Sequence, residues 1–473
     1  MSTTRAIAHN TAYQLIGKIS STLLGVLALG LMTRYLGPEK FGWYITTMAF
    51  LQFVGILIDF GLIPVSAQML SEPKHDKTKL LQNLLGFRFV SALIFLGLAP
   101  LVALLFPYPP EVKIAIATTS IAFLGVSMNQ IFLGFYQTKL KMHIQAIGEN
   151  IGRIILVTGL ALAIWQEWSF MSIMVIVVLN TLGYTIFMWL SSFKYTRPTF
   201  AFDWSVWKDI IIKMWPLAIS IIFNVIYLKG DILLLSLFRT QTEVGIYGAA
   251  YRVIDILAQM AMMIMGIMLP IMAFNWSRKL KSEFKKYYQQ SFDIMMILAV
   301  PLTIGTIVLA NRIMYIVGGT EFITSGKPLQ ILALAVFGVY LGAVFGHTAV
   351  SINKQKQTIW IYLSNAIITL TGYLIFIPKF GMYGAAGMTV FSEFYAGILL
   401  WLTIKYYTKK SLQLKNLAKI FFSGLVMGLS IWYCQKMNIF FLILLGALVY
   451  GTMIVLTKTI STKTLKEILK TKA

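Results

Sequence analysis

"NVIYLKGDILLLSLF", residues 224–238, is an apolar stretch with two charges in its middle. With the apolar residues that precede it from residue 210, it is long enough to cross a hydrocarbon core, which needs about 20 residues. An ionisable side chain that faces lipid at the bilayer centre costs at least about 2.5 to 3.5 kcal/mol. Lys229 and Asp231 are therefore expected to face protein or water. The stretch predicts an α-helical membrane protein with a polar interior.

The composition is that of a membrane protein, with 58% hydrophobic and 12% charged residues. Soluble domains have roughly 45–50% apolar and about 25% charged residues. The net charge of +23 does not indicate nucleic-acid binding, because no soluble basic domain separates the apolar runs. The single cysteine, Cys434, excludes a disulfide framework, and the four scattered histidines lack metal-ligand spacing. We expect neither a metal nor a cofactor.

Apolar runs of spanning length occur fourteen times, which predicts an all-α polytopic protein with about 14 transmembrane helices. The first run contains Lys18 and lacks a convincing cleavage site, so we expect a retained span rather than a signal peptide. The runs cover residues 11–33, 42–63, 80–106, 112–136, 144–165, 169–193, 210–237, 244–273, 287–309, 328–351, 357–377, 382–404, 416–434 and 438–457.

The distribution of Lys and Arg predicts the orientation. These residues concentrate in alternate connections, such as 278–286 and 405–419, and in the basic tail. Because cytoplasmic connections carry an excess of positive charge, both termini are expected in the cytoplasm. All connections are short, so no catalytic domain is expected outside the membrane.

Two internal echoes predict a duplication. The segment KLKMHIQAIGEN (139–150) aligns without gaps with KQKQTIWIYLSN (354–365), and GWY (42–44) corresponds to GIY (245–247). Copies of six spans share one orientation and are related by an axis along the membrane normal. The predicted domains are two six-helix lobes, a linker, and two extra helices with the basic tail; these cover residues 1–193, 209–410, 194–208 and 411–473.

Ten ionisable residues inside the spans are the candidate site residues. Glu149 and Arg153 are four residues apart, and Arg252 and Asp255 are three apart, so each pair can form an ion pair on one helix face. Such pairs either hold the bundle together or line a site. The cations are Lys18, Arg88, Arg153, Lys229 and Arg252, and the acids are Asp59, Glu149, Asp231, Asp255 and Glu393.

Lys229 and Asp231 are two residues apart and point to opposite sides of a helix, so they do not neutralise each other unless Gly230 breaks the helix. We expect Lys229 to face a cleft between the lobes. Arg252 and Asp255, in the eighth run, are expected near the same side of the membrane as Lys229 and Asp231 and at similar depth. The four groups are expected to form one polar cluster in the outer half of the membrane.

Several motifs give the chain a family resemblance. The motifs are RYLGPEKFGWY (34–44), DFGL (59–62), KMWPLAIS (213–220) and GIYGAAYRV (245–253). With them the chain resembles the Wzx-type polysaccharide flippases of the multidrug/oligosaccharidyl-lipid/polysaccharide exporter superfamily.

The resemblance implies a V-shaped pair of six-helix lobes that works by alternating access. Its implied substrate is an undecaprenyl-pyrophosphate-linked oligosaccharide, an O-antigen, capsule or exopolysaccharide repeat unit. The protein would move this unit across a bacterial inner membrane from the cytoplasmic to the outer leaflet. The five cations would bind the pyrophosphate or glycan, and the five acids would couple transport to H⁺ or Na⁺. Because the candidate cations and acids are equal in number, the sequence does not predict a strongly positive cavity.

The resemblance also implies partners: membrane lipids, a polysaccharide polymerase and a chain-length regulator, with the protein itself a monomer. Alternative functions stay open at this point. The same fold serves multidrug and cation antiporters, which need a net acidic interior. A membrane polymerase or glycosyltransferase would need larger loops or clustered acids, and a channel would need a ring of like residues.

Overall fold

The computed structural model describes residues 3–59, 62–71 and 76–459, with the side chains of 3–12 and 216–228 among those left undescribed. Every regular element in these ranges is a helix. The α-helices are α1 (Thr3–Asp59), α2 (Leu62–Ser71), α3 (Lys77–Leu104), α4 (Pro110–Thr138), α5 (Met142–Trp165), α6 (Phe170–Ser192), α7 (Trp204–Phe238), α8 (Gln241–Ser277), α9 (Lys281–Gly318), α10 (Gly326–Ser351), α11 (Ile359–Phe380), α12 (Met382–Thr408), α13 (Lys415–Tyr433) and α14 (Ile439–Leu456).

The predicted fold class is confirmed. Within the described ranges, 12 helices are long and apolar enough to cross a membrane. Helix α1 contains the first predicted span and most of the second, and α7 contains the seventh. The chain is thus a multi-pass membrane protein.

Helix α1 bends at Gly37, between its two predicted spans. Gly37 adopts φ 67°, which glycine tolerates without the steric cost that a Cβ would bring. Pro38 follows and lacks a backbone N–H. The two residues explain why one long helix serves as two spans without a separate loop.

The chain divides into two compact units, residues 1–248 and 249–473, named here the N-terminal unit and the C-terminal unit. In the N-terminal unit, one apolar core joins α2, α3, α4 and α6 around Leu84, Phe132 and Tyr136. A second core lies between α1, α3 and α4 and includes Leu51 and Ile116. These cores fix the helices that carry the charged residues described below.

The C-terminal unit is built on α9, α10 and α12, whose fully buried residues include Tyr340. The last two helices pack on α9. Tyr450 of α14 donates to the backbone oxygen of Ile297 at 2.8 Å, and a Cβ at Gly424 of α13 would lie 2.6 Å from Val300. The two predicted extra helices are therefore a docked hairpin of this unit.

Candidate functional site

Lys18 and Glu149 connect α1 to α5. The Lys18 ammonium lies 3.3 Å from the Glu149 carboxylate, with the two side chains 39% and 21% exposed. Ser21 donates to the same carboxylate oxygen at 2.6 Å. The Asn150 amide donates to the backbone oxygen of Gly17 at 3.0 Å, which holds the two helices together at this point.

These contacts correct one expectation. Glu149 was predicted to be able to pair with Arg153 on its own helix, but its partners are Lys18 and Ser21 of α1. The close approach of α1 explains the difference, because it brings two donors to the carboxylate. In the described ranges, Arg153 forms no ion pair within 4 Å of a carboxylate. Its guanidinium carbon lies 3.6 Å from the position of a Cβ on Gly25 of α1.

Arg88 of α3 is the most buried of the predicted cations, with its side chain 1% exposed. It donates to Asp59 at 3.0 Å, to the backbone oxygen of Ile58 at 2.8 Å and to that of Ser127 at 3.2 Å. It also donates to the side chain of Gln130. Arg88 therefore joins the end of α1 to α3 and α4.

A polar cavity of about 290 Å³ lies among α4, α5 and α6 of the N-terminal unit. Its walls include Glu149 and Arg153, together with Asn129, Asn180 and Tyr184. Asn129 is 5% exposed. Neither atom of its amide group has a hydrogen-bond partner.

The two charges of the opening stretch lie in the N-terminal unit and have different environments. Asp231 is fully buried and accepts from the Tyr247 hydroxyl at 2.6 Å. Lys229 is partly exposed. Residues 229–231 remain helical. As expected from their two-residue spacing on a helix, one of the two side chains is buried and the other is partly exposed.

The remaining candidates lie in the C-terminal unit. Arg252 and Asp255 of α8 form the predicted ion pair at 3.6 Å, and both are about a third exposed. Glu393 of α12 is buried at 9% exposure, beside Gly338 of α10. The expected cluster of these α8 groups with Lys229 and Asp231 stays a prediction.

Cavity residues without formal charge were missed by the sequence analysis, which considered only ionisable groups. A signal was present. The run SMNQ (127–130) inside span four and the run LNTLGY (179–184) inside span six interrupt apolar sequence with polar side chains. In the described residues, no group of three or more His, Cys, Asp or Glu side chains is placed to hold a metal ion.

Two relatives match most of this chain in sequence. A "Probable low-salt glycan biosynthesis flippase" of Haloferax volcanii is 23% identical over 406 residues, which is 82% of this chain and 81% of the relative. A "Putative O-antigen transporter" of Shigella flexneri is 21% identical over 398 residues, 80% of this chain and 93% of the relative.

The fold matches that of a solved flippase. The lipid II flippase MurJ in an inward closed conformation superimposes with a TM-score of 0.79 at 16% sequence identity. The match covers 96% of this chain and 99% of that structure. Together with the names of the relatives, this fold places the protein among transporters rather than enzymes, as predicted.

The family model described as "Polysaccharide biosynthesis protein" matches residues 7–276, more than half of the chain. This protein therefore belongs to the polysaccharide biosynthesis protein family.

Proposed function

We propose that this protein flips an undecaprenyl-pyrophosphate-linked oligosaccharide from the cytoplasmic to the outer leaflet of a bacterial inner membrane. The observation that carries the proposal is the polar cavity in the N-terminal unit, bordered by Glu149 and Arg153. The flippase and transporter relatives support the same substrate class.

The physics of the cargo requires a polar interior. Each hydroxyl moved from water into hydrocarbon without a partner costs roughly 4 to 8 kcal/mol. A sugar headgroup with many hydroxyls therefore cannot cross the bilayer unaided. A protein that surrounds the sugars with hydrogen-bonding groups, while the polyprenyl tail stays in lipid, removes this cost.

The charged residues have different roles in this proposal. Arg153 is best placed to attract a pyrophosphate, because no carboxylate in the described ranges neutralises it. Lys18, Lys229 and Arg252 keep the same proposed role, with Lys18 and Arg252 released from Glu149 and Asp255 when the anion arrives. Arg88 contributes by holding α3 and α4 in position, since its donors are already occupied.

Transport is proposed to follow alternating access and to be coupled to H⁺ or Na⁺ through the intramembrane acids. Protonation or ion binding at Glu149 would free Lys18 and change the charge beside the cavity. Asp59, Asp231, Asp255 and Glu393 are the other candidates. Both termini are proposed to be cytoplasmic, with a polymerase and a chain-length regulator as partners of a monomeric flippase.

The test is glycan export in cells that lack their own copy of this protein. Wild-type protein should restore surface glycan, whereas Arg153→Gln at equal membrane abundance should reduce it at least tenfold. Lys436→Gln, an exposed lysine in the connection before α14, is the matched control and should export normally. Normal export by Arg153→Gln would overturn the role of this cation.

Two further readouts separate the alternative functions. Resistance to cationic drugs in an efflux-deficient strain, with no effect on glycan, would favour a multidrug antiporter. Sugar transfer by the purified protein would favour a polymerase. Either result would contradict the flippase proposal.

A further inference from the structure

The cavity among α4, α5 and α6 is built by close helix packing. A Cβ at Gly152 of α5 would lie 2.7 Å from the backbone oxygen and 3.0 Å from the side-chain oxygen of Asn180 of α6. A Cβ at Gly148 would lie 2.8 Å from the Tyr184 ring. The two glycines, one helical turn apart, let α6 present Asn180 and Tyr184 beside Glu149 and Arg153.

Asn129 is the feature that folding alone does not explain. A buried polar group without a hydrogen bond costs about 1 to 3 kcal/mol, and native proteins contain few of them. Asn129 is 5% exposed, and both its amide nitrogen and its amide oxygen lack partners. A bound molecule that both donates and accepts hydrogen bonds would satisfy the two atoms together.

The part of the cavity wall formed by Asn129, Asn180 and Glu149 suits hydroxyl groups of the substrate, and Arg153 remains the residue proposed to attract its pyrophosphate. The carboxamides of Asn129 and Asn180 each offer donors and an acceptor, as vicinal hydroxyls require. The Glu149 carboxylate accepts only and would repel a phosphate placed beside it. Tyr184 adds an aromatic ring, and Val126 and Leu133 add apolar surface for the face of a sugar ring.

The size of the cavity limits the occupant. About 290 Å³ is at the lower end of the range for small-molecule sites, about 300 to 1,000 Å³. This is the volume that roughly ten water molecules occupy in liquid water. This is room for a single sugar ring rather than an entire repeat unit.

We propose that this cavity is a carbohydrate subsite that holds one sugar ring of the transported headgroup, with Asn129 as its specificity-determining residue. The proposal rests on the flippase function and names the part of the substrate that the N-terminal unit recognises. Arg88 holds this part of α4 in position, because it donates to the Ser127 backbone and the Gln130 side chain on either side of Asn129.

The experiment uses the full-length protein in lipid nanodiscs and a panel of methyl glycosides as probes. Saturation-transfer NMR should detect binding of at least one glycoside to wild-type protein at millimolar concentration. Asn129→Leu should reduce this signal at least fivefold. The thermal stability of this variant should be unchanged or higher, because the leucine removes an unpaired buried amide. Asn275→Leu is the matched control, since Asn275 is a buried α8 residue whose amide donates to Ile271 at 2.8 Å; it should keep the glycoside signal.

Several results would overturn the subsite. They are an absence of glycoside binding by wild-type protein, an undiminished signal in Asn129→Leu, and a fall in the thermal stability of that variant. The last would make Asn129 a structural residue. Loss of inorganic pyrophosphate binding in Asn129→Leu, with glycoside binding intact, would identify an anion site instead.

Glycan export in cells separates this inference from the proposed function. If wild-type protein exports glycan but binds no glycoside, the subsite fails and the flippase function stands. If a glycoside binds through Asn129 but wild-type protein exports no glycan, the cavity binds sugar and the flippase proposal fails.

Discussion

Gly42 of α1 and Gly245 of α8, the glycines of the two similar segments GWY and GIY, contact each other. A Cβ on Gly245 would lie 2.9 Å from the Gly42 nitrogen, and one on Gly42 would lie 3.1 Å from the Gly245 nitrogen. Equivalent residues of two copies meet only near the two-fold axis that relates the copies. The close approach explains why both positions are glycine, and the internal duplication stays a prediction.

Alanine at either glycine should destabilise the protein. The new Cβ would overlap the backbone oxygen of Gln241 or of Pro38, and backbone cannot move aside as a side chain can. We expect a cost of about 1 to 3 kcal/mol for each variant, typical of overpacking, seen as a lower melting temperature in detergent. Gly97→Ala and Gly266→Ala are controls with nothing within 4 Å of the new Cβ. Equal melting temperatures for all four variants would contradict the tight contact.

Arg88→Met should prevent stable folding. It removes the buried partner of a partly buried Asp59 and takes the Arg88 donor from two backbone carbonyls and Gln130. Breaking a buried ion pair in this way costs about 3 to 5 kcal/mol. Membrane abundance and melting temperature should both fall, and adding Asp59→Asn should restore part of the loss. A stably folded Arg88→Met protein that fails only in export would instead assign Arg88 to substrate binding.

Tyr247→Phe should lower the melting temperature, because it takes a hydrogen-bond donor from the buried Asp231 carboxylate. A hydrogen bond to a charged group contributes about 1.5 to 3 kcal/mol. Tyr383→Phe, at an exposed tyrosine of α12, is the control and should have no effect. If the two variants melt alike, Asp231 does not depend on this hydroxyl.

Asp203 should make stability pH-dependent in acid. It caps α7 by accepting from the Ser205 backbone at 3.0 Å and lies 3.0 Å from the Lys79 ammonium. The hydrogen bond with Lys79 and that with Ser205 lower the pKa of this carboxyl. A lowered pKa contributes stability above the usual value of about 3.9. That stability is lost as the pH falls through the pKa of the folded state.

Asp203→Asn keeps a good capping side chain but does not titrate. Its melting temperature should therefore change less than that of the wild type between about pH 5 and pH 3. The effect should be small, because the pair is largely exposed. Parallel curves for the two proteins would show that this carboxyl does not contribute.

Apolar run length was enough to predict the helices. Each predicted span after the second falls on one helix, because a segment that crosses lipid must satisfy its own backbone hydrogen bonds. The two spans of α1 were also found, although their connection proved to be a bend at Gly37 and Pro38 rather than a loop.

Contacts between helices were harder to predict. Spacing rules apply along one helix, so they paired Arg252 with Asp255 correctly. They could not predict that Glu149 contacts Lys18, 131 residues away. The partners of Arg88 come from two other helices, α1 and α4, and an unpaired Asn129 becomes visible only when its neighbours are placed. These features depend on tertiary packing, which a single sequence does not specify.

The most direct test of the central claim is flipping by the purified protein in vesicles. A short polyprenyl-pyrophosphate oligosaccharide would be distributed equally between the leaflets, and a membrane-impermeant glycosidase added outside would cleave the accessible sugars. The account predicts cleavage of nearly all substrate in vesicles with wild-type protein, and much slower cleavage of the inner pool with Arg153→Gln. Cleavage that stops at the outer half in wild-type vesicles, as in protein-free vesicles, would contradict it.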